Sequence, residues 1–288
     1  MADTTDFLRP LSTLAPGAWV DVAGVFTDID DTLTSEGAIT TDALAALQAL
    51  RTAGLPVIAV TGRPVGWSLE VAGHWPLSAI VAENGAVALV PGHGTMDSHQ
   101  IGLQPASVLH SQLSKIYLDD AATRARNRTR LQQVAKRVLR EVPGARLARD
   151  SAGRETDIAI DHSEFSQLDK PHIDQVVALM RAEGLHASVS SIHINGWIGE
   201  HDKWRGACWI ARELLGIDLP AQVGRWVYVG DSTNDQAMFR HFANSVGVAN
   251  IRRFAAELSW PPHHVTQAER GAGFAEVAQR VLADRPAA

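Results

Sequence analysis

Cysteine is nearly absent, with Cys208 the sole example among 288 residues. A lone thiol forms no internal disulfide and brings no second thiol to a zinc site, so the fold is expected to rest on its apolar core in a reducing compartment. Core packing is the expected role of Cys208, because a free thiol behaves as a small buried hydrophobe. Long apolar runs are missing too. No window approaches 18 apolar residues without charge, and the start MADTTDFLRPLSTLAPGAW has neither the basic opening nor the apolar stretch of a secretory leader. No membrane partner and a cytoplasmic location are therefore expected. Positive charge is not in excess: 26 Lys and Arg stand against 32 Asp and Glu, a formal net charge of −6. A chain of that sign lacks the field that gathers nucleic acid or anionic lipid, so no nucleic-acid partner is expected either. Fixed-period repeats and low-complexity segments are also lacking, and nothing in the sequence specifies an oligomeric state.

What is present is the composition of an ordinary globular protein, 45% hydrophobic and 20% charged. The length exceeds that of one compact unit, which favours two domains. Three short apolar runs, GVF (24–26), LPVIAV (55–60) and RWVYV (225–229), are cut off by TDIDDT, TGRP and GDSTND respectively. Each reads as a buried strand that ends in a polar loop. Between them lie helix-period stretches: Leu44, Leu47 and Leu50 before Gly54, and Trp204, Ala207, Ala211, Leu214 and Leu215 before Gly216. Strand and helix alternating in this way predict an α/β fold with a doubly wound, Rossmann-like parallel sheet. Loops following such strands gather at one carboxyl edge, so the three polar motifs are expected to converge.

The middle of the chain has a different texture. After the Gly/Pro/His-rich passage 91–100 come Leu131, Val134, Val138, Leu139 and Val142 at helical spacing. Strand-like runs near 145–149 and 155–161, a helix around 169–183 and the pair HASVSS and IHINGWI follow. The order is helix, strand, strand, twice over. It predicts an inserted α+β cap domain at 106–199, with residues 1–105 and 200–288 forming the core, and a frayed tail at DRPAA.

Asp28 and Asp30 stand two apart at the end of an extended run, a spacing that places both side chains on one side. Paired carboxylates divide acid and base work, although Asp-x-Asp also occurs in turns and caps. Asp231 and Asp235 of GDSTND follow another buried strand. Carboxylates converging there with Asp28 would repel one another unless a hard cation lay between them, and Mg²⁺ fits that need with oxygen ligands. A turn with a helix N-cap is the plainer reading of GDSTND. Thr61, directly after LPVIAV, brings a hydroxyl and neighbouring backbone N–H groups to a strand-to-helix junction suited to a phosphate oxygen; simple capping is the alternative. Lys203 opens a helix, the end at which a lysine is least favoured by the dipole, so its place implies a demand for positive charge.

Taken in order, DIDDT, TGR, Lys203 and GDSTND resemble the four motifs of the haloacid dehalogenase-like superfamily. GDSTNDQAMF and VAENGAV (81–87) are similar to its subclass IIB, which includes phosphatases of sucrose, trehalose and mannosyl-glycerate phosphates, and the order of the insertion resembles that subclass's cap. The resemblance spans all but about twenty N-terminal residues. It implies a Mg²⁺-dependent phosphoric monoester hydrolase acting on a small phosphorylated metabolite, a sugar phosphate being favoured. By position, Asp28 would be the nucleophile that forms an aspartyl-phosphate and Asp30 the general acid and base. Thr61 and Lys203 would hold phosphoryl oxygens. The metal would be bound by Asp28, the Asp30 carbonyl and Asp231, with Asp235 supporting the site directly or through water, and Asn234 would orient the loop. One departure is Asp31, where glycine is the commonest form; it is expected to shape the loop and leave the mechanism intact.

Further candidates for substrate contact are Gly62 and Arg63 of the TGR loop, Glu83 and Asn84 at a presumptive strand end, and His193 and Asn195, which alternate along IHIN and so share a face. Turn formation and plain sheet-face exposure are the simpler accounts of the last four. Arg124, Arg126, Arg128, Arg130, Lys136, Arg137 and Arg140 make the first cap helix basic, a solvated face by expectation, although an arginine near its start could reach an anionic substrate group. Among the eight tryptophans, Trp67 and Trp197 lie near motif loops and are candidates for stacking on a sugar ring. A hexose phosphomutase of the same subclass and a non-catalytic sugar-phosphate sensor are the rival functions; the presence of all four motifs argues against the sensor.

Overall fold

The computed structural model describes residues 8–91 and 113–286. In chain order its strands are β1 (Arg9–Pro10), β2 (Gly24–Thr27), β3 (Thr34–Ser35), β4 (Ala38–Ile39), β5 (Val57–Val60), β6 (Ala79–Ala82), β7 (Val87–Pro91) and β8 (Leu113–Tyr117). They continue as β9 (Arg146–Leu147), β10 (Asp157–Asp161), β11 (His186–Val189), β12 (His193–Trp197), β13 (Trp226–Gly230), β14 (Asn244–Gly247) and β15 (His264–Val265). The large sheet has the order β1-β15-β14-β13-β2-β5-β6-β7-β8. Strands β1 through β6 in that order pair in parallel, and β7 and β8 close the edge antiparallel.

Alternation along the strands explains why both faces are covered. On β2, Val25 enters one apolar cluster and Phe26 the other; on β13, Val227 and Val229 part in the same way from Trp226 and Tyr228. One face is packed by the helices Thr41–Thr52 and Arg270–Ala283 through Leu47, Leu50, Phe274, Val277 and Val281. The other is packed by Lys203–Leu215 and Gln236–His241 through Ala207, Ile210, Met238 and Phe239. Helix starts and stops follow local chemistry. Thr40 and Asp202 accept N-cap hydrogen bonds from Ala43 and Arg205, and Gly216 ends the second of these helices in the left-handed conformation at φ +66°. Leu44, expected on the apolar stripe, lies on the exposed side of its helix.

The cap is the four-stranded antiparallel sheet β11-β12-β10-β9, covered on one face by the helices Ala121–Glu141 and Lys170–Ala182. Leu131, Val134, Val138, Val176 and Met180 meet Ile158, Ile160 and Ile194 in its core. His193 and Asn195 therefore project from the opposite face of β12, toward the ends of the large sheet, as their alternation predicts.

Two boundaries differ from the sequence reading. Residue 106 lies outside the described residues, as does all of the passage 91–100 but Pro91. Strand β8, which a boundary at 106 would give to the insertion, pairs with β7 and extends the large sheet. Its sequence LSKIY names no partner, because sheet pairing is settled by contacts remote in the chain. At the other end, Asp284 is held rather than frayed: it accepts from the backbone N–H groups of Gly17 at 2.9 Å and Trp19 at 3.0 Å and from Arg280.

Candidate active site

Strands β13, β2 and β5 are neighbours in the sheet and end in GDSTND, TDIDDT and TGRP, so the three polar loops meet at one carboxyl edge. Lys203 reaches the same place from the first turn of its helix. Its Nζ lies 2.8 Å from Asp28 Oδ1 and 2.7 Å from Asp235 Oδ1, with all three side chains buried. Burial alone favours a neutral amine, but Asp235 and Asp28 hold Lys203 charged and raise its pKa above the ordinary lysine value. Burial pushes the Asp28 carboxyl up to about 7, against the pull of Lys203 and with Asp235 and Asp30 adding to the rise.

Asp235 is saturated by protein donors. Oδ1 accepts from Lys203 and the Tyr228 hydroxyl, while Oδ2 accepts from the backbone N–H groups of Asp231 at 2.9 Å and Ser232 at 3.1 Å. The loop is wound so tightly about this carboxylate that a Cβ on Gly230 would lie 2.5 Å from Asp235 Oδ2. Asn234 holds the same turn, accepting from Ser232 Oγ at 2.8 Å.

Asp231 is the opposite case. Oδ2 accepts from Asn250 Nδ2 at 3.1 Å and from Arg253 at 3.3 Å, but Oδ1 is buried without a partner among the described residues. Burial, then Asp235 and Asp28, raise its pKa well above the carboxylate range. Ligand atoms of Asp28, Asp231 and Asp235 lie within 4.8 Å of one another. A buried carboxylate oxygen with no donor, beside two more carboxylates and a single ammonium, suits a hard divalent cation such as Mg²⁺. Asp31 stands at the rim with φ +53°, the conformation that makes glycine the easy choice there, and its carboxylate is held by Arg253 at 3.2 Å and Arg270 at 3.1 Å.

Thr61 is fully buried, its hydroxyl accepting from the Arg63 N–H at 3.0 Å. Gly62 follows at the meeting point of core and cap: its carbonyl accepts from Asn195 Nδ2 at 3.3 Å and Arg154 at 3.0 Å. Asn195 and Asn84 both donate to Asp157 Oδ2, and Arg154 pairs with Asp157 at 2.8 Å. Burial lifts the Asp157 carboxyl to about 7, Arg154 opposing and Glu83 reinforcing the rise. Glu83 and Asn84 form a left-handed turn with φ of +50° and +57°. The Glu83 carboxylate is consumed within the protein, accepting from the backbone of Val65, Glu155 and Thr156 and from the Thr156 hydroxyl, so it joins the core to the start of β10.

Asp30 is gripped by Arg63, whose Nε lies 2.9 and 3.0 Å from its two oxygens. The same guanidinium reaches Glu164 at 2.8 Å and Asp150 at 3.3 Å on the cap, and Glu164 also meets His193 Nε2 at 2.8 Å. Burial would raise the Glu164 carboxyl, but the hydrogen bond from His193 and the charge of Arg63 bring it down to about 2.

The structure thus gathers Asp28, Asp30, Thr61, Gly62, Arg63, Lys203, Asp231, Asn234 and Asp235 around the sheet edge, with Asn84, His193 and Asn195 at the seam with the cap. Trp67 lies beneath the Arg63 guanidinium, at 5.1 Å, and Trp197 is buried between His186 and His201. Arg124 stacks on Tyr117 and donates to the Asp119 carbonyl. Cys208 is half-buried, and burial pushes its thiol up to about 11. Sequence reasoning missed Asp150, Arg154, Asp157, Glu164, Tyr228, Asn250 and Arg253. Asp157 and Tyr228 had a signal, a polar group inside an apolar strand; the others lie in loops or helical turns whose approach depends on the fold.

The model of a family described as haloacid dehalogenase-like hydrolase matches residues 25–258. No curated protein matches the sequence. Among solved structures, a Thermoplasma acidophilum protein superposes with a TM-score of 0.67 at 15% identity, over 91% of this chain and 99% of its own. The sucrose-phosphatase of Synechocystis, solved with sucrose and phosphate, gives 0.59 at 15% identity, over 90% and 98%. A subclass IIB sugar phosphatase of the same superfamily gives 0.59 at 16% identity, over 91% and 100%.

Proposed function

The chain belongs to the haloacid dehalogenase-like hydrolases, and from that membership we propose that it is a Mg²⁺-dependent phosphatase of a small phosphate monoester, a sugar phosphate by preference. The observation that carries this reading is the arrangement at the sheet edge: Asp28 and Asp235 share the buried Lys203 ammonium while Asp231 keeps an unpartnered oxygen beside them. Two of the superposed structures are named for sugar-phosphate hydrolysis, which supports the substrate class.

Asp28 attacks phosphorus, forming a carboxylate oxygen–phosphorus bond as the bond to the leaving oxygen breaks. Asp30 donates a proton to that oxygen, then takes one from the water that attacks the aspartyl-phosphate and returns Asp28. Lys203 and the Thr61 hydroxyl hold phosphoryl oxygens, with the backbone of Gly62 and Arg63 beside them. Asp28, the Asp30 carbonyl and Asp231 would hold the Mg²⁺, which when bound neutralises charge between carboxylate and phosphate. Asp235 supports these groups indirectly, by fixing Lys203 and the turn that carries Asp231. Phosphate monoesters demand roughly 20 kcal/mol or more of barrier reduction, and one positioned donor supplies only about 3–4 kcal/mol, so the groups must act together. The cap, which we place at 118–199 because β8 belongs to the large sheet, covers the site through Asn195, Arg154 and Glu164 and excludes water during transfer.

The test is a panel of sugar phosphates, nucleotides and phosphoglycolate assayed with Mg²⁺ and after chelation. Release of phosphate that chelation abolishes and Mg²⁺ restores is expected, with sugar phosphates turned over best. Full activity in chelator would overturn the metal's role, and activity confined to isomerisation with a bisphosphate activator would make the protein a mutase.

A further inference from the structure

One guanidinium in this molecule serves carboxylates from both sides of the seam between core and cap. Arg63 gives its Nε to Asp30, with one terminal nitrogen also 2.9 Å from Asp30 Oδ1, and its terminal nitrogens reach Glu164 and Asp150 of the cap; it is only 5% exposed. A guanidinium is planar and rigid, so whatever fixes its outer edge also fixes the direction in which Nε presents itself to Asp30.

Glu164 is itself held on every side. Asp161 at the end of β10 accepts from the backbone N–H groups of Glu164 at 2.9 Å and Phe165 at 3.0 Å. The Ser163 hydroxyl donates to the Ser191 carbonyl at 2.6 Å, and Glu164 Oε2 is braced by His193 Nε2. His193, expected to touch substrate, has this ring nitrogen occupied by Glu164 and is 2% exposed. The cap therefore spends two buried polar side chains and a braced loop on presenting one carboxylate to one core arginine.

We propose that Glu164 is a positioning residue for Asp30, acting through Arg63, so that closure of the cap sets the acid/base carboxylate in place. The inference rests on the phosphatase reading, because it needs Asp30 to move a proton. With the cap docked, Arg63 is anchored at its outer edge and Asp30 is aimed; with the cap away, Arg63 loses that anchor and Asp30 follows a freely rotating side chain. Chemistry is thereby confined to the closed state, from which water is excluded.

Glu164→Gln keeps the shape and removes the charge. A charge-assisted hydrogen bond of this kind corresponds to roughly 10–100-fold in rate, and that loss is expected in kcat for a sugar phosphate, with KM changed less than about threefold. The first step with p-nitrophenyl phosphate should change little, because its leaving group departs without a proton. In an Asp30→Asn background the same substitution should add less than about twofold on the sugar phosphate, since two residues acting as one unit are not additive. Equal losses in the first step on both esters, or full additivity with Asp30→Asn, would overturn the proposal. Amide hydrogen exchange supplies an arm independent of turnover: exchange in segments 61–65 and 162–166 should quicken in Glu164→Gln, and unchanged protection would overturn the anchoring role. A wild-type chain that hydrolyses no phosphate ester would instead remove the phosphatase reading, and Asp30's role with it.

Discussion

Asp231→Asn should stabilise the metal-free protein at about pH 8 while abolishing its stabilisation by Mg²⁺. The carboxylate is fully buried, Oδ1 has no partner among the described residues, and its pKa is raised by burial and then by Asp235 and Asp28. An acid whose folded-state pKa exceeds its unfolded value of about 3.9 destabilises the fold increasingly as pH rises above that value. Asparagine never ionises, so the penalty disappears. Leaving a buried polar group unsatisfied costs about 1–3 kcal/mol, and more when it is charged. The substitution also removes the ion pair with Arg253, an open pair at 3.3 Å whose arginine is 43% exposed, and its removal offsets no more than about 1 kcal/mol. A net gain of about 2 kcal/mol corresponds to a rise in Tm of roughly 4–8 °C. Calorimetry in chelator at about pH 8 should show that rise, and the two melting points should draw together as pH falls toward the unfolded-state value of about 3.9. Saturating Mg²⁺ should reverse the order, since about a hundredfold excess over Kd adds about 2.7 kcal/mol to the protein that binds it. A variant that melts below wild type in chelator at about pH 8, or that gains as much from Mg²⁺, would refute the reasoning.

Asp235→Asn should have the opposite sign, destabilising by about 3–5 kcal/mol with or without metal, because it breaks a buried ion pair and confronts four donors with one acceptor; thermal denaturation in chelator checks it. Gly230→Ala drives a Cβ to 2.5 Å from Asp235 Oδ2 and should cost about 1–3 kcal/mol, lowering Mg²⁺ affinity as the Asp231 turn shifts; denaturant melts and a metal titration read the two effects.

The core of the site was legible because it is written locally. A buried strand followed at once by polar residues fixes where a side chain emerges, and that holds for Asp28 after β2, Thr61 after β5 and Asp231 after β13. The alternation of His193 and Asn195 on β12 was legible for the same reason. Their partners were not. Arg63 and Glu164 are separated by 101 residues, and Asp231 and Asn250 by 19, with no periodicity linking them. Glu83 read as a substrate contact because a carboxylate at a strand end faces the site in either role; only the donors brought by Glu155 and Thr156 show that its oxygens are already filled. Strand β8 escaped for a related reason, since five residues of mixed polarity fit either sheet until β7 supplies the register.

The measurement that bears most directly on the mechanism is rapid mixing of the Asp30→Asn variant with p-nitrophenyl phosphate and Mg²⁺, followed by mass analysis of the quenched protein. The first step survives without its acid because p-nitrophenolate leaves readily, whereas water then lacks the base it needs to attack the intermediate. A burst of p-nitrophenol approaching one equivalent per chain, slow turnover after it, and a phosphoryl group on the peptide carrying Asp28 are predicted, with all three lost in Asp28→Asn. Steady turnover with no burst and no phosphorylated peptide, in a variant that still binds Mg²⁺, would contradict an aspartyl-phosphate route through Asp28 resolved by Asp30.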